Sequence, residues 1–530
     1  MSKKILLVGP GAEASQKTQS SWLLHSNEFF RKKAFTSPLH IATIAGLTPD
    51  DFEVDLWDEL VQGYINDETE FAKEYDLVGI TGYGLHFERA RQISEVFRGR
   101  GISTAVGGPG ISSFPEMYRE HFDVLFIGEA EQTWPQFCEE FRAGDYQREY
   151  RATTLPDLAH SPPPRWESIA GQMKDGYLTS SVQVTRGCPY NCEFCDVWQI
   201  FGRKMRVKPV ERVLEEISAL ERLGVNTILL CSDNFHGNPR YAKELVRALI
   251  PFNNSFPEPM QYRTELTITV ARDEELLELM ADANFSGFLV GIESPSEASL
   301  NETRKRHNIR FGDLTENCLK VMSYGVPIEG SMIVGFDSDT PDIFDLQFEF
   351  LQEACIPFPR PHMLKAIRGT DLWIRLTKEG RVVEVDKLYG NTMGIDPQHT
   401  TNIIPKGMTR VELLTGYLRL VEKIFDWDNF EARIKGFVSN IKRRPNVRMN
   451  DQTLPRMLRV GAQRMDARAR AAIESVLDYT EEHAPFMLLQ VAILAVRNYQ
   501  EVVRLPHMRE CLTAQIEIEE KMDVTQNVFV

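Results

Sequence analysis

The chain has 530 residues, of which 42% are hydrophobic and 26% charged, the composition of an ordinary globular protein. Its 60 basic and 76 acidic residues give a formal net charge of -16, which argues against a dedicated nucleic-acid-binding protein. Eight cysteines in so long a chain, three clustered and five scattered, do not suggest a disulfide framework. We therefore expect a cytoplasmic protein with one metal site, no nucleic-acid partner and no transmembrane segment. Contact with a membrane surface stays open.

Residues 1–144 alternate between short apolar runs and segments with helical periodicity. Buried strands separated by helices are typical of a parallel sheet covered on both faces. We predict a Rossmann-like, doubly wound domain, in which ligands bind at the carboxyl ends of the strands. The predicted strands are Lys4–Gly9, Glu53–Trp57, Asp76–Thr81, Ile102–Val106 and Val124–Ile127.

Residues 145–180 include a proline-rich stretch and predict a linker. A second alternating series over residues 181–395 predicts a partial barrel of six strand-helix units. From about Thr409 the strand signals fade, and we predict a mostly α-helical C-terminal region over residues 396–530. The strands predicted for the barrel are Ser181–Thr185, Thr227–Cys231, Gln261–Thr264, Gly287–Ile292, Gly330–Gly335 and Arg360–Ile367.

Three cysteines with the spacing C-x3-C-x2-C lie in a predicted loop directly after a strand. A structural zinc site takes four protein ligands, whereas no fourth Cys or His lies nearby in the sequence. A 4Fe-4S cluster on Cys188, Cys192 and Cys195 fits this spacing better, because it leaves one iron for a ligand that is not protein. The alternative is three buried thiols that have this spacing by chance.

These cysteines, with Phe194 before the last of them, resemble the signature of the radical S-adenosylmethionine superfamily. The resemblance implies that S-adenosylmethionine chelates the open iron. It also implies that one electron, from a donor such as flavodoxin or ferredoxin, cleaves the sulfonium to a 5′-deoxyadenosyl radical.

Polar stretches at later strand ends resemble one branch of this superfamily, which has an N-terminal cobalamin-binding domain and includes hopanoid and bacteriochlorophyll methylases. Ser232 stands where that branch has an Asp. Glu293 suits a ribose hydroxyl, because a carboxylate can accept two hydrogen bonds. The residues that the resemblance implies for S-adenosylmethionine binding are Phe194, Asp233, Asn234, Glu265, Glu293, Ser294, Val334 and Gly335.

The first domain lacks one familiar cobalamin motif. Domains of one type carry Asp-x-His-x-x-Gly after the first strand, whereas this sequence has Gly9-Pro10-Gly11 there, a departure that the radical branch shares. Glycine-rich stretches instead end the later strands, where a nucleotide tail and a corrin edge would lie. Such glycines also make ordinary turns in any doubly wound sheet. The cobalamin-binding residues implied by the resemblance are Thr81, Gly82, Tyr83, Gly107, Gly108, Pro109, Ser112, Gly128 and Glu129.

Three hypotheses for function remain at this point. The first is a cobalamin-dependent C-methyltransferase acting on a small molecule, a lipid or a tetrapyrrole. The second is radical chemistry without methyl transfer, such as rearrangement, cyclisation or 3-amino-3-carboxypropyl transfer, with or without cobalamin. The third is a cluster-bearing sensor without turnover. The sequence singles out no catalytic residue and no individual substrate.

Overall fold

The computed structural model describes residues 2–11, 32–385, 399–444, 452–521 and 528. These residues form two compact units. The first comprises the described residues up to 188 together with 197–231, and the second comprises 189–196 and the described residues from 232 onward. In chain order the strands are β1 (Lys4–Gly9), β2 (Ala34–Thr36), β3 (Glu53–Asp58), β4 (Leu77–Thr81), β5 (Ser103–Gly107), β6 (Val124–Ile127), β7 (Glu149–Arg151), β8 (Tyr177–Gln183), β9 (Thr185–Arg186), β10 (Arg206–Val207), β11 (Thr227–Cys231), β12 (Gln261–Leu266), β13 (Phe285–Glu293), β14 (Ile328–Val334) and β15 (Phe358–Met363).

The α-helices alternate with these strands as far as residue 378 and then follow one another. They are Leu39–Leu47, Glu59–Gln62, Phe87–Gly99, Pro109–Ser113, Ala130–Ala143, Ala170–Gly176, Val197–Ile200, Val210–Arg222, Pro239–Asn253, Glu274–Asp282, Glu297–Glu302, Leu314–Met322, Ile343–Glu353, Asp371–Lys378, Arg410–Phe425, Trp427–Asn440, Thr453–Ala462, Ala467–His483 and Leu488–Glu519.

The first unit contains a six-stranded sheet in the order β3-β1-β4-β5-β6-β7, and its paired strands are parallel. Strands β1 and β6 are buried along nearly their whole length, as expected for strands covered on both faces. Strand β1 pairs with β3 on one side and β4 on the other, so the order reverses there. The predicted doubly wound sheet is confirmed, and its topological switch point lies between β1 and β4.

Several short strands of the first unit, among them β2 and β7, were not predicted. Strand β7 extends the six-stranded sheet at its edge, and β2 pairs with β8 in parallel. The stretch 145–180, predicted as a linker, therefore contains β7, a helix and the first residues of β8. Three-residue strands escape prediction because they are too short to show a hydrophobic period. The predicted boundary at residue 395 lies outside the described residues.

All six strands predicted for the barrel are present. In the first unit β11 pairs with β8 in parallel. In the second unit four parallel strands have the order β15-β14-β13-β12, and Glu329 of β14 lies opposite both Leu289 and Phe358. Alternate residues of these strands share one face, which positions the polar groups considered below.

The C-terminal region is helical in its described parts, as predicted. Its first helix, Arg410–Phe425, begins with a capping box, because Thr409 and Glu412 each accept the other's backbone N–H. Among the described residues no helix is long and apolar enough to cross a membrane. The predicted α/β fold class with a helical C-terminal region is confirmed.

Candidate active site

The cysteine loop begins with a tight turn that only glycine can make. Gly187 follows β9 with a φ of +95°, and a Cβ there would lie 2.8 Å from the carbonyl oxygen of Lys204 and 3.0 Å from that of Gly202. The next residue, Cys188, donates its backbone N–H to the Gly202 carbonyl at 3.2 Å. Strand β10 pairs with β9 and closes the same turn. The backbone at Cys188 is thus positioned before any ligand binds.

We expect Gly187→Ala to destabilise this turn by at least about 1–2 kcal/mol, because alanine resists the left-handed conformation. Loss of iron per chain after anaerobic reconstitution, together with a lower melting temperature, measures the effect. Gly171→Ala is the matched control, since nothing lies within 4 Å of a Cβ built at Gly171. Equal iron content in the two variants would contradict the role given to the turn.

The second half of the loop is held by Glu193, which lies between the other two cysteines. Its backbone N–H donates to the Thr303 carbonyl at 3.0 Å, and its own carbonyl accepts from the Leu372 N–H at 3.0 Å. Its buried carboxylate accepts from Arg375 through Nε at 2.7 Å and Nη2 at 3.1 Å. Arg375 also pairs with Asp337 at 2.7 Å. These bonds fix the segment that carries Cys192 and Cys195.

A buried ion pair lies beside Cys192 and Cys195. The ammonium of Lys305 contacts the carboxylate of Glu293, and both side chains are less than a tenth exposed. Burial lowers the pKa of Lys305, but Glu293 and the two thiols outweigh burial and raise it to about 12. Lys305 Nζ also lies 5.9 Å from the ring centroid of Phe194. Lys305, Glu293 and Phe194 therefore lie in one group, and two of these residues, Glu293 and Phe194, were predicted from the sequence.

Gly291 is what allows this ion pair to lie against β13. A Cβ built at Gly291 would come within 2.5 Å of Glu293 Oε1 and 2.6 Å of Lys305 Nζ. Glu293 itself has a φ of +67°, and the register of β13 against β14 shifts between Gly291 and Glu293. A non-glycine residue with positive φ is uncommon and often marks a functional position.

Of the three predicted ligands, Cys192 is buried and Cys188 and Cys195 are half-buried, and none of them forms a disulfide. Within the described ranges, no three Cys, His, Asp or Glu side chains are already arranged around a single metal position. The donor set nevertheless suits a 4Fe-4S cluster, because three thiolates leave one iron open. The positive charge of Lys305 beside two of the thiols favours their deprotonated form, which is the form that binds iron.

The predicted residues Asp233, Asn234 and Glu265 lie close together in the second unit. Glu265 Oε2 accepts from the Ser232 N–H at 3.4 Å. Burial raises the pKa of Glu265 to about 7, and the negative charge of Asp233 adds to this. Asn234 accepts from the Thr267 hydroxyl at 3.3 Å, while its buried Nδ2 has no hydrogen-bond partner in the described part of the chain. An unpaired buried donor suits an acceptor on a bound ligand.

Glu265 should make folding depend on pH. Its folded pKa lies above the ordinary value of 4.5, so ionisation disfavours the folded state, and the unfolding free energy falls as pH rises from about 4.5 to about 7. Glu265→Gln removes this loss, which is at most about 3 kcal/mol at pH 8. Urea unfolding of both proteins at pH 5 and pH 8 measures it. A stability difference that does not grow with pH would contradict the prediction.

The remaining predicted S-adenosylmethionine-binding residues lie at strand ends of the second unit. Gly335 follows β14 with a φ of +102° and donates its N–H to Asp339 at 2.9 Å. Val334 is buried, and its carbonyl accepts from the Leu364 N–H at 2.8 Å. The Ser294 hydroxyl accepts from the Ser296 N–H at 3.1 Å. The backbone of this edge is therefore well ordered, but the side chains of these residues add no charge to it.

The residues predicted for cobalamin follow β4, β5 and β6 at the carboxyl edge of the first sheet. Several of their contacts join these loops to one another. A Cβ at Gly108 would lie 2.7 Å from the Gly82 carbonyl, and Ser112 accepts from the Gly128 N–H at 2.9 Å and donates to the Gly108 carbonyl at 2.8 Å. These glycines therefore serve loop packing, whatever they contact in addition. Tyr83 is largely exposed at this edge.

Glu129 is engaged in a buried ion cluster of the first unit. Its carboxylate accepts from Arg206 through Nη2 at 2.6 Å and Nη1 at 2.9 Å, and it also contacts Arg186. Arg186 in turn pairs with Glu131 at 2.6 Å. Both oxygens of Glu129 thus already have guanidinium partners, so its side chain is the least available of the predicted cobalamin-binding groups.

The sequence did not point to Lys305, which pairs with Glu293, or to Arg375, which holds the cysteine loop through Glu193. Both lie far along the chain from the cysteines, so spacing carries no signal for them. Lys305 belongs to a basic run, Arg304-Lys305-Arg306-His307, which was the only hint.

Two protein-family models match the chain. The Radical SAM superfamily matches residues 182–350, and a Domain of unknown function (DUF4070) matches residues 370–495. An uncharacterized methyltransferase of Synechocystis sp. is 33% identical, over 71% of this chain and 69% of its own length. The hopanoid C-2 methylase of Rhodopseudomonas palustris is 31% identical, over 68% of this chain and 67% of its own.

Two solved structures share the fold. The radical S-adenosylmethionine methyltransferase TsrM from Kitasatospora setae, with cobalamin and a 4Fe-4S cluster bound, has a TM-score of 0.59 at 14% identity and covers 91% of this chain and 100% of its own. The cobalamin-dependent S-adenosylmethionine radical enzyme OxsB has a TM-score of 0.57 at 14% identity and covers 97% of this chain and 84% of its own.

Proposed function

This chain belongs to the radical S-adenosylmethionine superfamily, and we propose that it is a cobalamin-dependent radical C-methyltransferase acting on a small molecule. The observation that carries the proposal is the cysteine loop, fixed at both ends by backbone hydrogen bonds and flanked by the Lys305–Glu293 pair. Two relatives named as a methyltransferase and a methylase match this chain over two thirds or more of their own length. Their similarity supports methyl transfer as the reaction.

Cys188, Cys192 and Cys195 would hold the 4Fe-4S cluster, which supplies the electron for cleaving S-adenosylmethionine. Lys305 offsets the negative charge that thiolates bring into a buried site. Phe194 packs on Phe336 with ring centroids 6.0 Å apart, and it would shield the third cysteine of a bound cluster from water. Excluding water and balancing charge both help set the potential of an iron–sulfur centre.

The chain's polar groups at the strand ends would bind and orient the cosubstrate. Glu293 is positioned by Lys305, so its carboxylate presents a defined acceptor to a ribose hydroxyl. The amide Nδ2 of Asn234, which has no partner in the described part of the chain, and the carboxylate of Asp233 would meet the methionyl end of the molecule. Gly335 makes the left-handed turn that ends β14, beside which an adenine would lie.

Cobalamin would bind at the carboxyl edge of the first sheet and would supply the methyl group. The switch point between β1 and β4, with exposed Tyr83 beside it, is where a large ligand fits. The fit is through backbone and small residues, chiefly Gly82, Gly107 and Gly108. Glu129 would act by holding the loop through its arginine partners.

The experiment is an anaerobic purification followed by product analysis. We expect bound corrinoid, and S-adenosylhomocysteine together with 5′-deoxyadenosine from S-adenosylmethionine under reduction. Cleavage without corrinoid or S-adenosylhomocysteine would favour radical chemistry without methyl transfer, and methylthioadenosine would indicate carboxypropyl transfer. No cleavage with any substrate candidate would favour a sensor.

The source of the electron and the compartment are part of the same proposal. We propose a flavodoxin or ferredoxin as donor, because reductive cleavage needs a one-electron reductant of low potential. None of the eight cysteines, all of them described, forms a disulfide, which supports a reducing compartment, the cytoplasm. Replacing chemical reductant by reduced flavodoxin in the cleavage assay tests the donor.

A further inference from the structure

One face of the second unit's sheet carries an unusual concentration of arginine. Residues opposite one another in the register, and every second residue along a strand, share this face. Arg263 and Glu265 of β12, Glu329 of β14 and Arg360 of β15 therefore lie on it together. The alternate residues Tyr262, Thr264, Ile328 and Gly330 are buried on the opposite face.

A single carboxylate serves two of these arginines. Glu329 contacts Arg263, and it accepts from Arg497 of the C-terminal helix through Nη2 at 2.9 Å. Gly287 of β13 permits the first contact, because a Cβ there would lie 3.4 Å from Cζ of Arg263. The Arg497 guanidinium also stacks on Phe358, 3.6 Å from its ring centroid. Glu329 is thus fully occupied.

Arg360 forms no such contact, although the carboxylates of Glu501 and Glu265 attract its charge. Within the described part of the chain it makes no ion pair and no hydrogen bond, and it retains exposed surface. Crowding by surrounding atoms and the charge of Arg497 lower its pKa more than Glu501 and Glu265 raise it. A side chain that is both crowded and exposed lies in a recess rather than on an open surface. Arg360 therefore presents a guanidinium to whatever enters that recess.

The other charged groups facing this recess do not cancel its positive charge. Arg263 and Arg360 repel one another, and burial raises the pKa of Glu265 to about 7, which weakens its negative charge near neutral pH. Glu501 pairs with Arg504 at 3.2 Å. The remaining groups near this face are Asp233, His362, Lys365 and His399. Like charges held together in a partly desolvated site are stabilised by a bound anion.

We propose that the substrate carries an oxyanion group, a carboxylate or a phosphate, and that Arg360 binds it. This inference rests on the proposed function, because it assigns the substrate of that same site. Arg360 lies opposite Ser331, three residues before Val334 at the strand end. Because a strand rises about 3.3 Å per residue, Arg360 lies about 10 Å before the strand ends at which the adenosyl group would bind. Glu265, which the sequence predicts to bind S-adenosylmethionine, lies level with Phe358, two residues deeper than Arg360, so the titration is run at saturating cosubstrate to distinguish the two ligands.

The test uses the full-length protein with reconstituted cluster and saturating S-adenosylmethionine. Calorimetric titration with inorganic phosphate and with malonate, in low-chloride buffer, separates the two kinds of oxyanion. We expect one of them to bind with one-to-one stoichiometry, Arg360→Gln to weaken it at least tenfold, and Arg360→Lys to weaken it less. Arg470→Gln, at an exposed position of the helix Ala467–His483, should leave binding unchanged.

Two results would overturn the inference. One is that neither anion binds, or that Arg360→Gln binds as tightly as the unaltered protein. The other is a tenfold loss of S-adenosylmethionine affinity with anion binding unchanged, which would assign Arg360 to the cosubstrate. Anion binding needs no turnover, so failure of the methyltransferase proposal would appear separately, in the corrinoid and product analysis.

Discussion

Cys192→Ala should abolish reductive cleavage of S-adenosylmethionine, lowering 5′-deoxyadenosine formation by at least about a thousandfold, as expected when one member of a catalytic unit is removed. The physical reason is that a cubane held by three thiolates has no spare protein ligand, and no other cysteine lies in the loop. Iron and sulfide per chain after anaerobic reconstitution should fall together with the activity. The same result is expected for Cys188→Ala and Cys195→Ala.

Cys511→Ala is the matched control for this prediction. Cys511 lies in the helix Leu488–Glu519, where its thiol contacts His507 at 3.5 Å, and it belongs to no predicted site. We expect this variant to keep its iron and its activity. Circular dichroism should show that all four variants fold. Undiminished iron and cleavage in Cys192→Ala would remove the basis of the proposed function.

Glu59→Ala should produce the largest loss of stability in the first unit, about 3–5 kcal/mol, because it leaves a buried guanidinium without its partner. The Glu59 side chain is fully buried and accepts from Arg89 through Nε at 2.9 Å and Nη2 at 2.6 Å. It also accepts the backbone N–H groups of Gly11 and Ile65, each at 2.9 Å. Removing one carboxylate thus leaves several buried donors unsatisfied.

Thermal unfolding of the variant should show its first transition lowered by about 10 °C, since each kcal/mol shifts a domain of this size by about 2–4 °C. Glu95→Ala is the control, because Glu95 pairs with Arg91 on the surface, where such pairs contribute about 0–1 kcal/mol. Combining Glu59→Leu with Arg89→Met should recover part of the loss. A melting temperature for Glu59→Ala equal to that of Glu95→Ala would show that the pair does not stabilise the unit.

The strands of both sheets were largely predictable because each is a short apolar run bounded by turn residues, and β1, β6 and β11 match their predicted limits. The misses follow from the same logic. Strands β2 and β7 have three residues each, too few for a period. Strand β8 begins at Tyr177, ahead of its predicted start, because its first residues pair with β2, a partner 143 residues away in sequence.

In the candidate site, too, some residues could be predicted from the sequence and others could not. The spacing of Cys188, Cys192 and Cys195 was readable because all three ligands lie within eight residues. Lys305 and Arg375 could not be found, since a charged residue distant in sequence looks the same whether it is solvated or paired in a buried site. Glu129 shows the converse, because its position after β6 was predicted but its arginine partners were not.

By itself, then, the sequence determined the alternating fold, the metal-binding loop and, through resemblance, the class of chemistry, because these depend on local spacing and period. Only the tertiary structure decided which charges are buried together. It pairs Lys305 with Glu293 and Glu129 with two arginines, and it places Arg360 near two other arginines that share the carboxylate of Glu329. The physical reason is that the energy of a charge depends on its burial and its neighbours, and neighbours brought together by folding leave no regular trace in the order of residues.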